Sequence, residues 1–285
     1  MKAPLWHYSK MIEEDLQAIY AHLRLGPVLA LCLAGMGLVL PSRASLAECP
    51  AGDELVAAVA EIPLDRTTHA TTWEAPLPEA LLREALESPG TIAVAREGMQ
   101  GTAVAVMPVS REALWKAVND ENGYAEHLGL AHSQVLGGTP RSTQRLLFQA
   151  FRRMGVGRWW VDRVWMSAGL YRETEGRIWE LVWTDAFDQA DAGEPPISEV
   201  AAGLPPVLWT RGAWAFAEIA PGCTLIDYFL WSDPGGMLSS FQALGLKGSL
   251  RDSVAGLVRY AQEVVPTLDP EDGPPFVRPD GTRLP

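Results

Sequence analysis

Few residues in this sequence have the types and spacing that catalytic chemistry requires. The sequence contains no His-Glu-x-x-His, Cys-x-x-Cys or Gly-x-Ser-x-Gly motif, which argues against a zinc protease, a dithiol redox centre and a hydrolase nucleophile. His69, His127 and His132 are scattered without metal-ligand spacing. His127 could serve as an acid or base in a pocket, but a structural histidine fits the same position. We therefore expect no metal ion and no cofactor.

Two charged neighbours, Asp162 and Arg163, lie in a segment with the composition of a strand. Adjacent strand residues point to opposite faces, so these two are not an ion pair with each other. One of them could enter a cavity and bind a polar group of a ligand. The alternative is an outward charge on one face and a buried structural pair on the other.

Tryptophan is unusually frequent, with eleven in the chain. Seven lie on predicted strands: Trp159, Trp160, Trp165, Trp179, Trp183, Trp214 and Trp231. Core packing explains most of them, whereas a wall of flat apolar rings around a ligand is the functional alternative. Trp179 and Trp183 are separated by an even number of residues and should share a face.

The elements that must position these residues follow from periodicity and turn residues. The pattern predicts a helix after Leu77 that ends at 89–90, a hairpin around 97–101, and a helix capped by Ser110. Six strand candidates and a final helix over about 236–264 follow. Helices at both ends of a run of antiparallel strands predict an α+β fold.

The last strand and helix are joined by "TLIDYFLWSDPGGMLSSF", residues 224–241. Tyr228 and Leu230 alternate to one face of the strand, and the Pro-Gly-Gly at 234–236 ends it. Helical spacing then begins with Met237, Leu238, Phe241 and Leu244. We expect these side chains to line a cavity between a curved sheet and the helix, and a bend at Gly245 and Gly248.

Three segments resemble a known family. "YFLWSDPGGMLSSFQALGLKGSLRDSVAGLVRYA" resembles the C-terminal strand and helix of START lipid-transfer domains, and "VDRVWMSAGLYRETEGRIWELVW" resembles a strand pair of the same family. "VMPVSREALWKAVND" resembles an entry element of the wider START-like (SRPBCC, polyketide-cyclase-like) superfamily. The resemblance covers roughly residues 77–265. It implies a helix-grip fold, in which a curved antiparallel sheet wraps around a long C-terminal helix and encloses a hydrophobic cavity.

Binding or transfer of a lipid or other hydrophobic small molecule, without catalysis, is the function that this resemblance implies. The candidate ligand-binding residues are Asp162, Arg163, Trp165, Trp183, Trp214, Tyr228, Leu230, Met237, Leu238, Phe241 and Leu244. The alternative is a cyclase or aromatase that uses the same cavity, with Tyr228, His127 or Arg163 handling protons. A domain with a filled core is the third hypothesis. The net charge of −12 argues against a nucleic-acid partner, whereas transient membrane contact remains an expectation.

The N-terminal segment, residues 1–47, has the pattern of an export signal. The uncharged run Leu25–Leu40 is sixteen residues long, shorter than the roughly 20 that span a bilayer, and Ser45 and Ala47 suit a signal peptidase. We expect cleavage after Ala47 and export from a bacterial cytoplasm, with an uncleaved membrane anchor as the alternative.

The remaining segments are a lead-in at 48–76 and a Pro-rich tail at 266–285 that we expect to be extended or mobile. Cys49 and Cys223 are the cysteines left after cleavage. An even pair in an exported protein is a candidate disulfide, and two unrelated thiols are the alternative.

Overall fold

One antiparallel sheet of eight strands organises the protein. The computed structural model describes residues 49–62, 77–121, 123, 125, 127–142, 144–152, 159–170, 178–185, 209–233, 239–269 and 271–285. These residues belong to one compact unit, Ser45–Pro285. The elements are, in chain order, α1 (Asp53–Ala60), α2 (Glu79–Glu87), β1 (Ile92–Glu97), β2 (Gln100–Met107), α3 (Arg111–Val118), β3 (Leu130–Gly138), β4 (Gln144–Arg152), β5 (Trp159–Leu170), β6 (Ile178–Asp185), β7 (Trp209–Ala220), β8 (Cys223–Asp233) and α4 (Ser239–Glu263), followed by a 3₁₀ turn at Val265–Thr267.

The strand order is β1-β2-β8-β7-β6-β5-β4-β3, so the last strand closes onto the first hairpin. The register places Ala103, Tyr228, Trp214 and Leu181 side by side on four successive strands, β2, β8, β7 and β6. Paired residues of antiparallel strands point to the same face. This row therefore runs across the middle of the sheet on one side, which we call the inner face.

The long helix α4 lies on the inner face. It contacts β1, β2, β8 and α3. Its buried side chains Leu250, Val254 and Leu257 belong to the same apolar cluster as Trp214 and Tyr228. A helix against one face of an antiparallel sheet is the helix-grip arrangement, and the α+β prediction is confirmed.

The outer face of the sheet is covered by α1 and α2. Leu55 and Val59 of α1 and Leu81 of α2 are buried with Val104 and Leu225 of the sheet. Within the segment 48–76, which we described as a lead-in of weak periodicity, the structure forms the helix α1; its eight residues include only two buried positions, Leu55 and Val59. Residues 63–76 lie outside the described chain.

Most local predictions agree with the structure. The first hairpin turns between Glu97 and Gln100, and the Ser110 side chain accepts a hydrogen bond from the Ala113 amide at 3.1 Å. The final helix begins at Ser239 in the described chain and runs unbroken to Glu263. We expected a bend or a loose turn at Gly245 and Gly248; α4 is continuous through both glycines, so a loose turn does not interrupt it.

The C-terminal tail, which we expected to be extended or mobile, packs on the domain. The indole nitrogen of Trp115 donates a hydrogen bond to the carbonyl of Val277 at 2.7 Å. Val277 and Arg283 form an isolated bridge, and Leu284 is 3 % exposed. Apolar side chains between the prolines therefore give this segment enough burial to be held in place.

None of the helices within the described ranges combines the length and apolar character that crossing a membrane requires. Residues 1–47, where the export signal is expected, lie outside the described chain.

Candidate functional site

Three aromatic rings form a wall on the inner face. Trp214 and Tyr228 are stacked, with ring centroids 3.8 Å apart and planes 9° from parallel. The ring centroid of Trp183, on β6, is 6.2 Å from that of Tyr228, and the two ring planes are 30° apart. Their register and alternation along β6, β7 and β8 bring them together from positions far apart in sequence. We call Trp183, Trp214 and Tyr228 the aromatic wall.

A glycine makes room for one ring of the wall. Gly212 pairs with Trp183 across β6 and β7. A Cβ atom at position 212 would overlap the Trp183 indole and the carbonyl oxygen of Phe229. The absence of a side chain at this position therefore determines where the Trp183 ring lies.

Tyr228 is the polar member of the wall. Its hydroxyl is hydrogen-bonded to the Ser253 side chain on α4, and the residue is 7 % exposed. Burial raises the pKa of the Tyr228 phenol well above its ordinary value, an effect that the bond from Ser253 only partly offsets. Tyr228 therefore keeps its proton near neutral pH and is a hydrogen-bonding group, poorly suited to act as a base.

The structure describes the other predicted site residues in different detail. Leu230 is partly buried against the same apolar cluster as the wall. In β5, Asp162 pairs with Gln149, Arg163 with Phe148, and Trp165 with Leu146 and Thr184; only their backbone register is described. Phe241 and Leu244 lie within α4 and their side chains are not described, whereas Met237 and Leu238 fall outside the described chain.

His127 lies against a tyrosine outside the aromatic wall. Its ring centroid is 4.8 Å from that of Tyr260, and its carbonyl oxygen faces α4 at Gly256. This geometry matches a packed structural histidine.

Sequence reasoning missed a buried ionic network behind the end of α3. Arg145 is fully buried, pairs with Glu121, and donates a hydrogen bond to Asn119 Oδ1 at 2.6 Å. Glu121 is 1 % exposed, and burial raises its pKa, an effect that the Arg145 charge opposes. A run of Asn, Asp and Glu after a helix ordinarily predicts solvent-exposed residues, so the sequence offers no clear sign of this network.

Arg141 extends the network to the tail. Its guanidinium contacts Asp120 Oδ1 at 3.3 Å and donates to the carbonyl of Asp272 at 2.8 Å. Asp120 also accepts a hydrogen bond from Tyr260 at 2.5 Å; burial, together with this bond, raises the Tyr260 pKa. Arg141 adopts a φ of 62°, an uncommon left-handed conformation for a residue other than glycine. The network therefore joins α3, the β3–β4 turn, α4 and the tail.

Cys49 and Cys223 are joined by a disulfide, with Cα atoms 5.1 Å apart. Cys223 is the fully buried first residue of β8, and Cys49 packs at the edge of the outer-face cluster. The bridge ties the chain just before α1 to the centre of the sheet.

Across the described ranges, His, Cys, Asp and Glu side chains do not gather in threes at a site that could hold a metal ion. The polar groups on the inner face that the structure describes are suited to hydrogen bonding.

Comparisons with known proteins identify the fold. No family model and no curated protein matches the sequence. Among solved structures, a STAR-related lipid transfer protein from Xanthomonas axonopodis matches at a TM-score of 0.51 and 12 % identity, over 62 % of this chain and 96 % of its own. Human STARD10 matches at a TM-score of 0.48 and 12 % identity, over 78 % of this chain and 94 % of its own. The Zhui aromatase/cyclase from Streptomyces sp. R1128 matches at a TM-score of 0.38 and 12 % identity, over 57 % of this chain and 96 % of its own.

The fold assignment rests on the Xanthomonas protein, because the other two TM-scores lie below 0.5. The chain has the START-like helix-grip fold that its sequence resembles.

Proposed function

We propose that this protein binds and transfers a lipid or another hydrophobic small molecule between the inner face of its sheet and α4, without catalysis. The aromatic wall is the observation that carries the proposal. Three large rings from three strands share one face and oppose the helix. The fold of a solved STAR-related lipid transfer protein supports the same use of this face.

The wall suits an apolar ligand on energetic grounds. Each square ångström of apolar surface removed from water contributes about 25 cal/mol, so a long acyl chain or fused-ring molecule gains several kcal/mol without any bond chemistry. Aromatic rings offer large, rigid contact areas at a small cost in side-chain entropy.

The chemistry of Tyr228 also favours binding over catalysis. A cyclase of the alternative type needs a group that exchanges a proton during the reaction. Burial holds the pKa of Tyr228 high, and its hydroxyl is engaged by Ser253. His127 packs on Tyr260 and is not a member of the wall.

Organic-solvent extraction of the purified protein, followed by mass spectrometry, tests the proposal directly. We expect a hydrophobic compound in stoichiometric amount. Trp183→Leu should lower its recovery and weaken the binding of a fluorescent fatty acid or sterol. Trp209→Leu is the matched control, because Trp209 packs edge-on against Trp231 and not in the wall. An empty extract combined with no binding of either probe would leave the filled-core hypothesis as the better one.

Export is a second part of the proposal. A disulfide in the domain supports it, because such bonds persist in oxidising compartments. Cleavage after Ala47 would make Glu48 the first residue of the mature chain and Cys49 the second. Edman sequencing of protein from its native host should give Glu48 first; a soluble cytoplasmic protein that retains residues 1–47 would contradict the proposal.

A further inference from the structure

A buried hydroxyl lies on the inner face at the β3–β4 side of the sheet. Ser133 pairs with Gln149, and both are at most 9 % exposed. Two residues farther along each strand are Val135 and Leu147, which also pair with each other and pack in the apolar cluster of the wall. Because side chains alternate along a strand, Ser133 and Gln149 face the same interior as those two apolar residues.

Ser133 differs from Thr224 and Tyr228 on the same face, because its hydroxyl has no hydrogen-bond partner among the residues that the structure describes. Its Oγ atom is buried and makes no hydrogen bond to any residue that the structure describes. In contrast, the Thr224 hydroxyl donates to the Val109 carbonyl at 2.7 Å, and the Tyr228 hydroxyl is bonded to Ser253. Buried polar groups in native proteins are nearly always hydrogen-bonded, and an unsatisfied one destabilises the fold.

We propose that Ser133 is the polar subsite of the ligand site and hydrogen-bonds an uncharged oxygen group, such as a hydroxyl or carbonyl, at one end of an amphiphilic ligand. This inference rests on the proposed function. The apolar body of the ligand lies along Leu147 and the aromatic wall, and its polar end meets the Ser133 hydroxyl. Serine can both donate and accept, so either an alcohol or a carbonyl compound satisfies it.

The charges on this face favour an uncharged ligand group. Arg145, farther along the inner face of β4, is fully buried but already bound by Glu121 and Asn119. Ser133 and Gln149 are neutral. A carboxylate at Ser133 would lose its hydration without gaining an opposite charge, since the β5 residue that pairs with Gln149 is the acidic Asp162.

Four probes that share a pyrenyl-decyl chain and end in a methyl, hydroxyl, carboxylate or ammonium group test the subsite. The parent protein should bind the alcohol more tightly than the charged probes. Ser133→Ala should weaken binding of the alcohol by about three- to tenfold, the range of one buried hydrogen bond, and leave the methyl-ended probe within about twofold. Gln134→Ala is the control, since Gln134 is the next residue along β3 and its side chain contacts His132 instead.

A stability measurement gives a second readout. Removal of an unsatisfied hydroxyl should keep or raise the Tm of delipidated Ser133→Ala, whereas loss of a structural hydrogen bond would lower it. Ser133→Cys, which keeps the shape but is a weak donor, should behave like Ser133→Ala toward the alcohol and covers the case in which the alanine variant folds poorly.

The outcomes separate the two proposals. Equal loss of the methyl-ended and alcohol probes, or no loss of either, overturns the subsite and leaves the carrier function standing. Tighter binding of a charged probe overturns the uncharged class. Failure of all four probes to bind contradicts the proposed function and the subsite with it.

Discussion

Tyr228 shows how one hydroxyl can be kept inside an aromatic wall. Its ring is stacked on Trp214, and its oxygen reaches Ser253 on α4. A buried hydroxyl without a partner would cost about 1–3 kcal/mol, so the Ser253 bond removes a penalty more than it adds stability. The same bond links β8 to α4.

The raised pKa of Tyr228 predicts weaker stability in alkali. Below about pH 10 both the folded and unfolded states hold the phenol proton, and the residue adds no pH dependence. Above that value the unfolded chain releases the proton while the folded chain retains it, so stability is lost as pH rises toward the folded pKa. The expected slope from this residue is about 1.4 kcal/mol per pH unit.

Urea unfolding between pH 8 and 11 measures this effect. Tyr228→Phe should lose about 1 kcal/mol at pH 8 with its hydrogen bond, and then show a shallower decline above pH 10 than the parent. Parallel curves for the two proteins would mean that Tyr228 ionises as readily in the folded state as in the unfolded one.

The buried Arg145–Glu121 pair leads to a prediction about the stability cost of an unpaired buried charge. Arg145→Met leaves the Glu121 carboxylate without its partner and should cost about 3–5 kcal/mol at pH 7. The double variant Glu121→Leu/Arg145→Met should recover part of that loss, because well-packed apolar residues often replace a buried pair without penalty.

The deficit of Arg145→Met should also shrink as pH falls toward 5. Burial raises the pKa of Glu121, so this side chain is neutralised by protonation sooner than an exposed glutamate. Chemical denaturation of the three proteins at both pH values measures the effect. A double variant less stable than Arg145→Met would show that packing, and not charge, controls this position.

At the scale of elements, close contacts seat α4 against the rest of the domain. A Cβ at Gly256 would overlap the His127 carbonyl oxygen, and one at Gly101 would overlap the Leu250 side chain. Gly248, on the same helix as Gly256, has no atom within 4 Å of a Cβ. Gly256 therefore allows α4 to approach the backbone of His127, whereas the space around Gly248 leaves room for a side chain.

Alanine substitutions should separate these roles. Gly256→Ala pushes the helix away from rigid backbone and should cost about 1–3 kcal/mol or more. Gly248→Ala is the matched control and should stabilise the protein by about 0.5–1 kcal/mol through helix propensity. Thermal unfolding of both variants gives the comparison, and a destabilised Gly248→Ala would show that a flexible helix is required there.

The elements that were predicted correctly from the sequence are those with a strong local pattern. The first hairpin and the Ser110 cap are specified by residues only a few positions apart. The structure adds α1, the packed tail and the Asn119–Glu121 network. Each of these includes partners more than a hundred residues away, such as Val277 for Trp115 and Tyr260 for Asp120. The wall was predictable in part, since Trp183, Trp214 and Tyr228 were all candidate ligand-binding residues, whereas the role of Gly212 depends on strand register.

At the scale of the whole domain, both ends of the described chain are attached to the sheet or to α3. The tail reaches α3 through the Trp115–Val277 bond and the Lys116 ammonium, which donates to the Pro285 carbonyl at 2.7 Å. At the other end, the disulfide fixes the residues before α1 to β8. A sheet whose two faces are covered by segments from both chain ends gains stability when those ends are secured.

The disulfide should make stability depend on redox conditions. It closes a separation of 174 residues, for which the chain-entropy model gives about 5 kcal/mol, and native bridges typically contribute about 2–4 kcal/mol. Cys49→Ala removes the bridge with little loss of packing, because Cys49 is only partly buried whereas Cys223 is fully buried. The variant should match the parent measured in dithiothreitol, and reductant should have no effect on the variant. If the parent unfolds at the same temperature with and without reductant, the bridge does not stabilise the fold.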